Sequence, residues 1–302
     1  MKYIMKYINL FFLCFLNVSS SLKPAKSNLK SLFEMSRPVT IPQTALLVFS
    51  GANVAHVPIA ELFQHDFLIS TGVSLLTCAN SMIINDYFDA EKKNDGKEKN
   101  LIVAGVIDKN IVLNFLFVSY IIEICGILCI KLQILSFIIS WTLLITICYT
   151  PIFKPVTWLK NISVAFVVAL TPFVGALSSL GDSNVSYHDY DTVLKMCLAI
   201  FFTIMHKEIV MDVCDLEDDL NSGVVTIPGK YGTNFALNTS ICLTFLTFLI
   251  VHDNILETVG ALSILVFAIR CKKDLNDEKL KDLLTSFKYT STFLICAFMS
   301  SN

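Results

Sequence analysis

Residues 67–89 read FLISTGVSLLTCANSMIINDYFD: about five helical turns of mostly apolar residues that end in Asn85, Asp86 and Asp89. The pattern recurs at residues 198–219, LAIFFTIMHKEIVMDVCDLEDD, where the apolar run ends in Asp212, Asp215, Glu217, Asp218 and Asp219. A carboxylate is costly in or beside a bilayer, so an acidic cluster closing an apolar run marks a functional site. Two such clusters, well separated in the chain, predict a place at a membrane surface that gathers divalent cations and a polyanion.

Composition agrees with a membrane setting. Of 302 residues, 54% are apolar and only 16% charged, against about a quarter charged in soluble domains. The net charge of −2 carries little information about partners, and no nucleic-acid partner is expected. The ten cysteines mostly fall inside apolar runs without C-x-x-C pairing, which reads as small buried hydrophobes rather than a zinc or disulfide framework.

Spans need roughly 17–25 mostly apolar residues. About nine candidates fit, centred on 41–57, 67–84, 111–130, 134–149, 162–180, 193–211, 235–251, 255–269 and 283–299, and backbone satisfaction in lipid makes them helices. The expected fold is therefore an all-α integral membrane bundle of about nine helices. A faint internal echo, an Asp-rich span end followed by a basic loop in each half, suggests two four-helix-like halves. Lysines crowd alternate loops: Lys92, Lys93, Lys97, Lys99 and Lys109, then Lys154 and Lys160, then Lys230, then Arg270, Lys272 and Lys273. The other loops are poor in basic residues, and the one around 182–191 is acidic. The positive-inside rule puts the basic loops, Arg37 and both acidic clusters on one face. Residues 1–21 have the layout of a signal peptide, and 22–36 form a basic, Ser-containing stretch. The two read equally as an address for a plastid or mitochondrial membrane and as an arm lying on the bilayer.

On a helix Asp86 and Asp89 share a face with Asn85 beside them, and Glu208, Asp212, Asp215 and Asp219 form one stripe. Mg²⁺ takes oxygen ligands in octahedral geometry, commonly one or two carboxylates plus substrate phosphates. Two facing acidic helix ends suit a diphosphate bridged by Mg²⁺, with nearby lysines neutralising the leaving group.

These residues resemble the UbiA superfamily of intramembrane prenyltransferases over 36–300. The resemblance rests on Asn85-Asp-Tyr-Phe-Asp89, on Leu101-Ile-Val-Ala-Gly105 after it, and on the run from Lys207 through Asp212, Asp215 and Asp219 into Gly223, Pro228, Tyr231 and Gly232. Arg37-Pro38, Tyr149-Thr-Pro151, Lys154 and Asn161 also fit. It implies that 37–302 form a helical bundle around a central cavity open at one face. There an isoprenyl diphosphate donor, held through Mg²⁺, gives its prenyl group to a lipophilic acceptor among membrane lipids. Carried onto this chain, Asn85, Asp86 and Asp89 would hold one metal, and Asp212, Asp215 and Asp219 another or the acceptor. Catalytic weight falls on Asp86, Asp89, Asp212 and Asp215; Arg37, Lys93, Lys97, Lys154, Lys207, Tyr149 and Asn161 are diphosphate contacts. Two positions depart from the family: Lys93 stands where another Asp is common, and Asp218 where a small residue is.

The mechanism expected is ionisation of the allylic C–O bond in an apolar cavity. Tyr87, Phe88, Tyr149 and Phe153 are candidates to face the cationic carbon, and Asp215 to take the acceptor proton. An aromatic acceptor, as in prenylquinone or tocopherol-type biosynthesis, is the leading expectation. The alternatives are a glycerol-phosphate lipid, which Lys207-Glu208-Ile209-x-x-Asp212 resembles, a tetrapyrrole acid, acceptor-free cyclisation, or, in another class, an ion-coupled transporter.

Overall fold

The computed structural model describes residues 26–90, 100–178, 187–221, 223–251, 254–273, 287 and 291–300. Residues 1–25, Lys93, Lys97 and the acidic loop at 182–186 lie outside them, so the expectations placed there concern residues the structure does not describe.

The described residues form helices and no strands. In chain order these are α1 (Lys26–Met35), α2 (Thr40–Val54), a short 3₁₀ turn (Ile59–Phe63), α3 (His65–Asp89), α4 (Lys109–Cys129) and α5 (Gln133–Cys148). After the π-helical turn Tyr149–Phe153 come α6 (Thr157–Leu177), α7 (Tyr187–Cys214), α8 (Leu216–Asn221), α9 (Ile227–Tyr231), α10 (Thr233–Ile250), α11 (Ile255–Lys273) and α12 (Ser291–Ser300). Among the described residues, five helical segments are long and apolar enough to cross a membrane by themselves: His65–Asp89, Lys109–Cys129, Gln133–Phe153, Thr157–Leu177 and Thr233–Ile250. The sequence candidates 41–57, 193–211 and 255–269 overlap α2, α7 and α11, and of the candidate 283–299 the structure describes 287 and 291–299.

The bundle is apolar outside as well as inside. Ile121, Ile122, Leu128, Phe137, Trp141, Leu144, Phe245 and Leu249 are exposed along the spans, which makes sense only if lipid covers them. Of the described cysteines Cys197 is buried as expected, whereas Cys125, Cys129, Cys242 and Cys296 are free thiols on the outer surface. In lipid a small apolar thiol is as well placed outside as in the core.

The largest core cluster joins α2, α6, α7, α10 and α11 through Val48, Ala52, Ala176, Met196, Leu237 and Ile264. The tightest contact in it is made by glycine. A Cβ on Gly51 would run into the Pro172 backbone of α6, and one on Gly175 into the Val48 backbone of α2. Small residues let membrane helices approach this closely. Pro172, inside α6, also lacks the N–H that would continue the ladder. A second cluster, Ile83, Ile84, Tyr87, Ile107, Val112 and Leu116 with Leu32 and Met35 of α1, anchors the end of α3 that carries the first acidic segment.

Candidate active site

Helical periodicity sorts the side chains of Asn85–Asp89 onto two faces. Tyr87 is buried among the apolar residues of α1 and α4, with the Lys109 ammonium 4.5 Å above its ring. Phe88 packs edge-on against it. The turn that carries Asp86 and Asp89 on one side of α3 sends Tyr87 and Phe88 to the side packed on α1 and α4. On the inner face Asn85 Nδ2 donates to Asp89 Oδ2 at 3.1 Å.

The partner of this first cluster comes from the turn after α5. Pro151 has no N–H to donate, and the turn widens so that the Lys154 N–H reaches the Tyr149 carbonyl five residues back at 2.7 Å. Such widened turns are frequent at functional sites. Here the turn delivers Lys154, whose Nζ donates to both Asp89 carboxylate oxygens at 2.9 and 2.8 Å and to Asn85 Oδ1 at 3.2 Å. Thr150 Oγ1 lies 3.5 Å from the same amide oxygen. From the other side Arg37 places Nη2 3.6 Å from Asp86 Oδ1. Its backbone is left-handed, with φ +48°, an uncommon conformation for a residue with a side chain.

Six residues after Lys154, the first turn of α6 supplies the second cluster. Lys160 Nζ donates to Asp212 Oδ1 at 2.6 Å and approaches Asp219 Oδ2 at 3.4 Å. Asn161 Nδ2 donates to the other Asp212 oxygen at 3.0 Å. Asn161 is fully buried, and its carbonyl oxygen has no protein partner. The stripe expected across 208–219 is interrupted at Asp215, where α7 ends before α8 begins. Asp215 is exposed there, while Asp212 is buried. Lys207 pairs with its neighbour Glu208 at 3.2 Å.

The two clusters face one strip, residues 149–161. Tyr149 lies within electrostatic reach of Glu208, Asp212 and Asp219 of the second cluster and of Asp89 of the first. Arg37, Lys154, Tyr149 and Asn161, named from the sequence, therefore gather around the acids. Lys160 was not singled out for the site, since its partners lie 52 and 59 residues away. Asn100 was missed as well. Its amide donates to the Asp86 carbonyl at 2.9 Å and its oxygen accepts from Ile102 N, holding the 101–105 segment under the end of α3.

Among the described residues no three His, Cys, Asp or Glu side chains form a ready-made metal cage. The first cluster nevertheless suits Mg²⁺. Asp86 and Asp89 offer two carboxylates one turn apart, with side chains 21% and 26% exposed, so a hydrated ion can reach them. Mg²⁺ keeps several waters and shares itself between such carboxylates and substrate phosphates. The second cluster is more closed: the Asp212 side chain is 3% exposed.

Residues 44–292 match the model of the UbiA prenyltransferase family. The chain belongs to that family, and it is a multi-pass membrane prenyltransferase. A digeranylgeranylglyceryl phosphate synthase of Pyrococcus abyssi is 27% identical over 220 residues, covering 72% of this chain and 75% of the relative. The namesake from Sulfurisphaera tokodaii is 29% identical over 210 residues, 68% of this chain and 71% of its own. A solved structure concerned with digeranylgeranylglyceryl phosphate synthase in membranes shares the fold at TM-score 0.71 and 21% identity, covering 90% of this chain and 97% of that one. A UbiA homologue from Archaeoglobus fulgidus bound to GPP and Mg²⁺ superposes at TM-score 0.64 and 16% identity, covering 89% and 98%. These relatives are archaeal and lend no support to a plastid or mitochondrial membrane. Membership of the family also sets the transporter reading aside.

Proposed function

We propose that this chain transfers an isoprenyl group from its diphosphate to a free hydroxyl of a glycerol-phosphate lipid, forming an ether bond. The observation that carries the prenyl-transfer reading is the strip 149–161 between two acidic clusters, with Lys154 seated on Asn85 and Asp89. The glycerol-phosphate acceptor is supported by the relatives, whose name describes a glyceryl phosphate carrying two geranylgeranyl groups. The Lys207-Glu208-Ile209-x-x-Asp212 run fits the same type. The aromatic acceptor ranked first on the sequence falls behind, because nothing in the site favours it.

Asn85, Asp86 and Asp89 would hold Mg²⁺, which supplies Lewis-acid charge to the departing diphosphate. Lys154 and Arg37 lie where they can neutralise phosphate oxygens as the allylic C–O bond breaks. The apolar cavity keeps water from the cationic carbon, and the Tyr149 ring can stabilise it. The acceptor oxygen then bonds to that carbon. Its proton goes to a carboxylate of the second cluster, Asp215 being the exposed one.

The test uses membranes bearing the full chain, Mg²⁺ and labelled geranylgeranyl diphosphate. Acceptors are offered one at a time: a prenylglyceryl phosphate, a prenylatable aromatic acid, or none. Labelled diether lipid is expected. Label appearing in the aromatic product alone would overturn the acceptor, and no diphosphate release with any acceptor would overturn the reaction.

A further inference from the structure

Each acidic cluster holds a lysine, Lys154 on both oxygens of Asp89 and Lys160 on Asp212. The Asp89 side chain, however, is 26% exposed and the Asp212 side chain 3%, and that difference bears on metal number. At the first cluster Arg37, 55% exposed, stands 3.6 Å from Asp86, beyond ordinary hydrogen-bond length. That carboxylate is open to a hydrated ion. At the second, both oxygens of Asp212 are already taken, one by the Lys160 ammonium at 2.6 Å and one by Asn161. Lys160 is itself 12% exposed and reaches on to Asp219. It thus lies between the two carboxylates that a bridging cation would join. A Mg²⁺ bound at about 2 Å from Asp212 would place two positive charges against this buried one.

We propose that Lys160 is a built-in cation of the second cluster: it fills the seat a second Mg²⁺ would take, so the site binds one Mg²⁺ per donor diphosphate. This rests on the prenyl-transfer reading, since the remaining ion is the one shared by Asp86, Asp89 and the diphosphate. The lysine supplies positive charge that, unlike that of a metal ion, cannot be lost by dissociation. It also leaves the second cluster free to face the acceptor, with the orphaned Asn161 carbonyl oxygen available to a hydroxyl.

The experiment counts ions rather than turnovers. Mn²⁺ replaces Mg²⁺ as a paramagnetic probe on the full chain in nanodiscs, with a saturating thiolo analogue of geranylgeranyl diphosphate that cannot ionise. One tightly bound Mn²⁺ per chain is expected in the wild type and in Lys160→Arg. Two are expected in Lys160→Met, where the seat is vacated. Two ions in the wild type would overturn the inference whatever Lys160→Met does, so the outcome does not depend on that variant folding. One ion in a folded Lys160→Met would overturn it too, because something other than Lys160 would then close the seat. No bound ion in any chain would instead sink the Mg²⁺–diphosphate reading of the proposed function, and this inference with it.

Discussion

The acidic clusters differ less in their residues than in their closure. Asn85, Asp86 and Asp89 belong to one helix, α3, and meet cations that arrive from elsewhere: Lys154 from the widened turn and an exposed Arg37. Asp212 and Asp219 belong to two helices, and Lys160 and Asn161 of a third are bonded into the gap between them. A carboxylate that keeps a quarter of its surface can exchange partners as substrate comes and goes. One with 3% exposure works as part of the framework. Carboxylates of equal charge are thus divided by burial into an exchanging site and a fixed one.

Asp212→Ala tests that division hardest. It leaves the Lys160 ammonium buried without its main counter-charge, and breaking such a pair costs about 3–5 kcal/mol. A clear fall in the thermal midpoint of the purified protein is expected together with loss of prenyl transfer. Combining Asp212→Asn with Lys160→Met should restore much of the stability and none of the activity. A midpoint unchanged in Asp212→Ala would mean that Lys160 and Asp212 are not a framework pair.

Asp86→Ala should show the converse. Its partner Arg37 is exposed and distant, so the pair is worth about 0–1 kcal/mol to the fold, and the midpoint should barely move. Transfer should fall about 10²–10³-fold, the scale of removing one preorganised stabiliser of developing charge. The Mg²⁺ needed for half-maximal rate should rise in parallel. Wild-type activity in this variant would break the assignment of the first cluster to the diphosphate.

How far these clusters were legible in the sequence follows from which interactions are local. Asn85, Asp86 and Asp89 lie within two turns of one helix, so periodicity alone groups them. The apolar run before them places them at a membrane face. The same rule grouped Asp212 with Asp219, which share Lys160, but it assumes an unbroken helix, and at the junction of α7 and α8 Asp215 is exposed. Periodicity separates Tyr87 from Asp86 and Asp89 but does not say which side of α3 packs, since that is decided by the apolar residues of α1 and α4. Lys160 was legible as one more basic residue near a span end. Nothing local separates a lysine in water from one bonded to carboxylates more than fifty residues away. The glycine contact of α2 with α6 was invisible for the same reason.

That contact provides a control for both halves of the comparison. Gly51→Ala drives a methyl group into the Pro172 backbone, and neither backbone can yield without shifting a helix. Overpacking of this kind typically costs about 1–3 kcal/mol. Because α6 carries Lys160 and Asn161 at its other end, thermal stability should fall while the Mg²⁺ requirement stays at the wild-type value in protein that remains folded. A changed Mg²⁺ requirement would show that the helix contact, and not Lys160, sets the geometry of the second cluster.

The smallest effect is expected at Arg37, and its sign separates binding from folding. The residue holds a left-handed backbone at φ +48°, which favours glycine, and its half-exposed side chain stands 3.6 Å from Asp86. Arg37→Gly removes the guanidinium and relieves backbone strain of order 1 kcal/mol. Stability should therefore hold or rise slightly. The donor KM should increase roughly tenfold, about 1.4 kcal/mol of lost binding, with kcat little changed, the signature of a contact made equally to bound donor and transition state. Arg37→Lys keeps the charge and the strained backbone, so it should keep most of the donor affinity and none of the added stability. If kcat falls with KM unchanged in Arg37→Gly, the guanidinium acts on the departing diphosphate and not on the bound one. The exposed side of the first cluster would then be part of the chemistry rather than its entrance.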